Sequence, residues 1–181
     1  KKTFIFTDTL DGNNRLYHDL SDAEGWVTGP GASRIDHPPL AVLRSPFDDT
    51  APERSKTELG QNWKAAMEIG HDLAQNKSIS RTSSQDAGVD ASADVVVATS
   101  SLEVGYNDPL VGAVVQHKAP NDVASYLQRK GRAGRPRGMR PWMLVVLSVF
   151  GRDRVEFQRY EGLMSPEIKR QGLPLGNQHV Q

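Results

Sequence analysis

Short apolar runs alternate with helical periods along this chain of 181 residues. The runs are rich in β-branched and aromatic residues and are bounded by turn formers, which is typical of buried strands. They are residues 3–7, 78–81, 94–98, 112–116 and 142–150. Because strands that alternate with helices favour a parallel arrangement, the sequence predicts an α/β fold with a mainly parallel central sheet. We expect the last strand, which is the most apolar, to be buried on both faces.

Helices are predicted where apolar residues recur at intervals of three and four. The first helix contains Leu16 and Leu20 and is expected to begin at a cap formed by Asn13 or Asn14. A second spans residues 59–73. A third is expected to start from Asn121 as its cap and to end near Gly131, and a last one to run through Phe157 and Leu163.

The chain length fits one domain of ordinary size. We expect one domain over residues 1–150, with an irregular insertion at 25–58 in which glycines and prolines interrupt any period. Residues 151–181 are expected to form a helical extension and a tail.

The amino-acid composition limits which kinds of binding site and partner this chain can have. The formal net charge is zero, so any binding of nucleic acid must be local. The chain has no cysteine, which excludes disulfides and thiolate metal sites and suggests a cytoplasmic location. No apolar run approaches the roughly 20 residues that span a bilayer, so no membrane partner is expected. The five histidines lack metal-ligand spacing, and we assign no metal site.

One segment of this neutral chain is strongly basic. It places six cations within twelve residues: Arg129, Lys130, Arg132, Arg135, Arg137 and Arg140. A solvated basic end of a helix would explain the charge alone. The spacing suggests more, because Gly131 and Gly134 allow close approach of the backbone while two arginines three residues apart can converge on phosphate oxygens.

Three segments together resemble a known family. Residues 128–135 (QRKGRAGR) match the Q-x-x-G-R-x-G-R signature of motif VI in superfamily 2 helicases. Residues 95–105 (VVVATSSLEVG) resemble motif V, and residues 2–8 (KTFIFTD) resemble motif IV. The order and separations agree with the second, C-terminal RecA-like domain of that family. The style of motif V is similar to Lhr-like DNA helicases, and a bacterial helicase associated with DNA modification or defence is a further resemblance.

The resemblance implies a RecA-like three-layer fold, with helices on both faces of the sheet, and roles in ATP hydrolysis for three residues. Arg135 would act as the arginine finger on the γ-phosphate, with Arg132 beside it and Gln128 helping to position both. A finger arginine contributes roughly 10³ to 10⁵ in rate in GTPases, because it stabilises the charge spread over the transferred group.

The resemblance also implies contacts with the strand and the ribose. Thr99 and Ser100 would contact the nucleic-acid backbone, although a plain helix cap would use the same residue types. Thr7 matches the motif IV position, where a threonine with a purely structural role is an equal alternative.

In the motif V loop, Gly105 is followed by Tyr106, Asn107 and Asp108, so that an asparagine stands where relatives have a ribose-binding aspartate. Either Asn107 or Asp108 would make that contact, and a simple turn into the next strand explains both residue types.

A phosphate-binding G-x-x-x-x-G-K-[ST] loop and an acidic D-E-x-[HD] run do not occur in the sequence. The resemblance therefore implies that ATP and Mg²⁺ are held mainly by a first RecA-like domain of the same polypeptide, and that the isolated chain is inactive. The expected enzyme is an ATP-dependent helicase acting on DNA, with RNA as the other possible strand. The competing hypothesis is a stand-alone nucleic-acid-binding or regulatory module without ATPase activity.

Overall fold

The computed structural model describes residues 1–26, 75–83, 88–102 and 106–164. The predicted helix at 59–73 and nearly all of the predicted insertion lie outside these residues, as does Gly105. The strands are β1 (Lys2–Phe6), β2 (Ile79–Thr82), β3 (Val95–Ala98), β4 (Val111–His117) and β5 (Trp142–Val146). The helices are α1 (Leu10–Ala23), α2 (Val123–Lys130), α3 (Gly151–Gln158) and α4 (Tyr160–Met164), with a 3₁₀ turn at Ser100–Leu102.

The five strands form one sheet in the order β2-β3-β1-β4-β5, and every neighbouring pair is parallel. The predicted α/β class with a parallel sheet is therefore confirmed. β1 lies at the centre, where Phe4 pairs with Val96 on one side and with Val114 on the other. All three side chains are buried, so the core of the described part of the chain is built around the middle of the sheet.

Helices cover both faces of the sheet. α1 packs against β2 and β3, and α2 packs against β4. The chain crosses from β1 towards β2 in one direction along the sheet and from β4 to β5 in the other. Because crossovers between parallel strands are right-handed, α1 and α2 lie on opposite faces, which gives three layers.

Two helix caps differ from those predicted. α1 begins four residues earlier than expected, with Thr9 as its cap, and the Thr9 hydroxyl accepts a hydrogen bond from the N–H of Gly12. Asn13 is instead buried inside the helix and donates to the carbonyl of Thr82 on β2. The cap of α2 is Asp122, whose carboxylate accepts from the N–H of Ser125, and not its neighbour Asn121.

The last strand is shorter and more exposed than predicted. β5 ends at Val146, and Trp142 and Leu144 are 69% and 48% exposed. The expectation of burial on both faces is therefore wrong. β5 pairs only with β4 in the described sheet, so one side of it has no neighbouring strand. The chain continues into two short helices, α3 and α4, where a single one was expected.

No helix among the described residues has both the length and the apolar surface needed to cross a membrane. The division of the chain at residue 150 stays a prediction.

Candidate functional site

The basic residues after α2 lie in a segment, residues 131–140, that we call the arginine loop. The loop is fixed against the start of β4, where the N–H of Gly134 donates to the carbonyl of Val111 at 3.1 Å. Gly134 has φ +75°, and a Cβ added there would lie 2.9 Å from the Cβ of Pro141. Only glycine meets both demands without strain, so the loop backbone is held close to the amino edge of the sheet.

The two arginines predicted to be catalytic are held differently. Arg132 is half-buried and donates from Nη1 to the carbonyl of Tyr106 at 2.7 Å. The ring of Tyr106 packs on that of Phe4, with centroids 5.8 Å apart, which links this contact to the core. Arg135 is exposed and has no hydrogen bond or ion pair with any other described residue. The same loop thus fixes one guanidinium and presents the other to solvent.

The end of α2 also separates neighbouring side chains. Gln128, predicted to position the arginines, is exposed on this helix. Arg129 is only 3% exposed, so the explanation of a solvated basic helix end does not hold for this residue. Its Nη1 contacts Asp8 Oδ1 at 2.5 Å and Gln116 Oε1 at 2.6 Å. These two adjacent residues of α2 therefore lie on different faces of the helix, since Gln128 is exposed to solvent and Arg129 is buried.

Sequence reasoning missed the pair formed by Arg129 and Asp8. A signal was present, because Arg129 follows Tyr126 by three residues and so shares the buried face of α2. Asp8 comes directly after the central strand β1, where a charged residue close to the core needs a partner. What the sequence does not show is that β1 and α2 meet.

The two residues predicted to contact the ribose, Asn107 and Asp108, differ in exposure. Asn107 is exposed, whereas Asp108 is half-buried and both of its carboxylate oxygens are engaged. Oδ2 lies 2.8 Å from Lys2 Nζ, and Oδ1 accepts from the N–H of Leu110 at 2.8 Å. Burial by itself raises the pKa of Asp108, but the Lys2 ammonium and the Leu110 amide more than offset it and hold the pKa below its ordinary value.

The predicted strand-contact residues lie at the other end of the strands. The N–H of Thr7 donates to the carbonyl of Ala98, which brings the ends of β1 and β3 together beside Thr99. Thr7 itself is buried, and its hydroxyl donates to the carbonyl of Thr9 at 3.2 Å. Thr99 is half-buried and Ser100 is exposed at the start of the 3₁₀ turn.

The two groups of candidates therefore lie at opposite edges of the sheet. The arginine loop, Tyr106 and Asp108 are at the amino edge, whereas Thr7, Thr99 and Ser100 are at the carboxyl edge. A strand of the length of β1 separates them, which corresponds to about 15 Å.

The donor set at the amino edge suits a nucleotide. An exposed guanidinium and an exposed amide can bind phosphate oxygens and ribose hydroxyls. Across 1–26, 75–83, 88–102 and 106–164, no group of three histidines or acidic residues could hold a metal ion.

The parallel sheet with helices on both faces defines an α/β domain, the architecture that the predicted RecA-like fold requires. The family model described as "Helicase conserved C-terminal domain" matches residues 60–137, which include most of the arginine loop. Residues 60–137 are thus similar to the conserved C-terminal domain of helicases, which agrees with the resemblance carried by the motifs.

Three solved structures are similar to the chain. The Lhr helicase of Mycobacterium smegmatis, bound to ssDNA and AMP-PNP, is 20% identical with a TM-score of 0.40, over 80% of this chain and 14% of that one. A variant of S. cerevisiae Dbp5, bound to RNA and ADP BeF3, is 14% identical with a TM-score of 0.46, over 92% and 33%. A DEAD box protein from the hyperthermophile Methanococcus jannaschii is 15% identical with a TM-score of 0.43, over 90% and 32%.

The chain spans 14% to 33% of the length of these three proteins. No protein of curated function matches it.

Proposed function

We propose that this chain is the second motor domain of an ATP-dependent helicase or translocase. On this proposal Arg135 acts as the arginine finger on an ATP bound mainly by the first RecA-like domain of the same polypeptide. The observation that carries the proposal is the arginine loop, which combines a fixed backbone with an exposed guanidinium. The loop is held by the Gly134–Val111 hydrogen bond and by the contact of Arg132 with Tyr106.

A fixed loop matters because a finger arginine acts by electrostatic preorganisation. Negative charge spreads over the oxygens of the transferred phosphoryl group, and a guanidinium already in place stabilises it without reorganising. Arg132 donates from Nη1 to the Tyr106 carbonyl, and this contact fixes its guanidinium, a group that binds phosphate oxygens through a planar fork of N–H donors. Bound ATP supplies the transferred group, and Mg²⁺ is assigned to the first domain. Gln128, exposed one turn before the loop, is assigned to the same ATP-facing surface.

For the ribose, we assign the contact to Asn107. Asp108 already binds Lys2 and the Leu110 amide, and moving it to the ribose would leave the nearly buried Lys2 ammonium without this partner. Asn107 is exposed, and its amide can both donate to and accept from ribose hydroxyls. Gly105, which the sequence places in the same motif V loop and which lies outside the described residues, is proposed to bind ATP as well.

At the carboxyl edge, Thr99 and Ser100 are the residues proposed to contact the nucleic-acid backbone. Thr99 is half-buried and Ser100 is exposed, whereas Thr7 is buried and its hydroxyl donates to the Thr9 carbonyl. We therefore assign Thr7 a structural role. We propose that the strand is DNA, because the motif at residues 95–105 resembles that of Lhr-like DNA helicases. RNA is the alternative, and it would be favoured if RNA stimulated ATP turnover and DNA did not. The cytoplasmic location stays a prediction.

The test is Arg135→Ala in the full-length protein, with Arg137→Ala as its control because Arg137 is an exposed arginine of the same loop. We expect the finger variant to lose roughly 10²-fold or more in ATP turnover with saturating strand, and the control to stay near wild type. Turnover near wild type in Arg135→Ala would show that the finger assignment is wrong. Strand binding that ignores nucleotide and is unaccompanied by ATP turnover would favour the binding module instead.

A further inference from the structure

A buried polar cluster joins α2 to the end of β1. We call it the Arg129 cluster, and its members are Arg129, Asp8, Gln116 and Phe6. Arg129 donates to the carboxylate of Asp8 and to the side-chain carbonyl of Gln116, at 2.5 and 2.6 Å. Its guanidinium lies 5.4 Å from the centroid of the Phe6 ring, within the range of a cation–π contact.

Stability alone is a weak reason for such a cluster. Taking a guanidinium and a carboxylate out of water costs much of what their attraction returns, so that apolar side chains of similar volume often serve as well. Buried ionic pairs have a firmer use in fixing one arrangement of the elements that carry them, because their geometry allows few alternatives. The Arg129 cluster therefore suggests that the relative position of α2 and β1 matters.

The cluster lies between the two candidate groups. On the side of the arginine loop, the carbonyl of Arg129 accepts from the N–H of Arg132 at 3.0 Å, so the backbone of Arg129 leads directly into the loop. On the other side, Asp8 stands between Thr7 and Thr9, the cap of α1, at the carboxyl edge. Long side chains of a helix lean towards its amino end, and this is how the side chain of Arg129 reaches Asp8.

We propose that Arg129 and Asp8 are positioning residues that couple strand binding at the carboxyl edge to the placement of the arginine loop at the amino edge. A strand that shifts the β1–α1 junction moves Asp8, and the ion pair transmits that displacement to the end of α2 and so to Arg132 and Arg135. This inference rests on the proposed function, since it needs both a strand and an ATP.

The experiment measures ATP turnover of the full-length protein against strand concentration. Asp8→Asn keeps an oxygen acceptor and removes the charge. Coupling predicts that turnover at saturating strand falls about tenfold, while the strand concentration for half-maximal stimulation stays within about twofold of wild type. A second variant, Arg129→Lys, keeps the charge, but its side chain ends one bond short of the Nη1 that contacts both Asp8 and Gln116, so it should show the same split.

The matched control is Asp153→Asn. Asp153 is also a buried carboxylate, and it accepts hydrogen bonds from the N–H groups of Ala119 and Ser148, both at 2.9 Å, away from the arginine loop. The Asp153→Asn variant is expected to have a lower melting temperature and to retain the stimulation of ATP turnover by the strand. An equal loss of stimulation in Asp153→Asn would mean that any destabilisation has this effect, which would overturn the inference.

The inference would be overturned if either variant, Asp8→Asn or Arg129→Lys, folded and were stimulated by the strand as strongly as wild type. If Arg135→Ala were inactive in the same assay, the proposed function would stand and only the inference would fail. A wild-type protein whose ATP turnover ignores the strand would overturn the proposed function and this inference with it.

Discussion

The amino edge and the carboxyl edge of the sheet differ in how they hold polar groups. At the amino edge several charges are buried or bonded to the chain, as in the Lys2–Asp108 pair and the contact of Arg132 with Tyr106, and Arg135 is exposed on a loop whose backbone is fixed. At the carboxyl edge Thr99 and Ser100 present neutral hydroxyls. On the proposed function this difference is useful, because catalysis needs an arginine carried on a fixed backbone, whereas a protein that moves along a strand must release each contact in turn.

The largest predicted effect comes from replacing Lys2, which tests whether the buried charges stabilise the amino edge. We expect Lys2→Met to lower the free energy of unfolding by about 3–5 kcal/mol at neutral pH, because it leaves the Asp108 carboxylate, whose side chain is only 11% exposed, without its cation. The measurement is urea denaturation of the protein. The control is Arg15→Met, since the Arg15–Asp11 pair is exposed and its loss should cost about 0.5 kcal/mol or less.

The same variant has a pH signature. The folded-state pKa of Asp108 lies below its ordinary 3.8, so the stabilisation from ionised Asp108 is present above that value and is lost as the pH falls through the folded pKa. The difference between wild type and Lys2→Met should therefore shrink in acid below 3.8. A difference that stays constant in acid would show that the pair does not stabilise the amino edge.

A second prediction concerns the backbone of the arginine loop. Gly134→Ala places a methyl against Pro141 at φ +75°, whereas Gly138→Ala, at φ +86°, meets nothing within 4 Å. Gly138→Ala should cost only the left-handed backbone, about 1–2 kcal/mol. Gly134→Ala should cost more and also lower ATP turnover of the full-length protein about tenfold or more, because small displacements of a catalytic group are costly. Equal turnover in the two variants would contradict a loop fixed at Gly134.

The smallest expected effect is at the carboxyl edge. Thr99→Ala in the full-length protein should weaken strand binding about three- to tenfold, the equivalent of one neutral hydrogen bond, and leave the salt dependence of affinity nearly unchanged. Thr7→Val is the control, because it removes a buried hydroxyl from the same edge and should lower stability by about 1 kcal/mol without weakening strand binding. If Thr7→Val weakened strand binding more than Thr99→Ala did, Thr7 would be the strand contact and Thr99 the structural residue.

The order of elements was predictable because apolar runs and helical periods are local properties of the sequence. Four of the five predicted strands agree with β1 to β4 to within a residue or two at each end. The cap of α1 was not predictable in this way. Asn13 is a good cap by residue type, but in the folded chain it is buried against the Thr82 carbonyl, a contact that depends on β2 lying beside α1.

The candidate site shows the same limit. The motif at residues 128–135 marks Arg132 and Arg135 because their spacing is local and specific. The burial of Arg129 and the engagement of Asp108 depend on Asp8 and Lys2, which are distant in sequence, and such pairings emerge only when the sheet is assembled. Charged residues near a strand end are the places where sequence reasoning needs the topology most.

The central position of β1 has a consequence for folding. Phe4 pairs with Val96 and Val114, so the middle of the sheet closes only after contacts between very distant parts of the chain have formed. Folding slows as the sequence separation of native contacts grows, since loop closure must precede the pairing that rewards it. We expect this sheet to assemble slowly, with Phe4 and Phe6 exposed on a lone strand until β3 and β4 have been made, which is when a newly synthesised chain is most prone to aggregate.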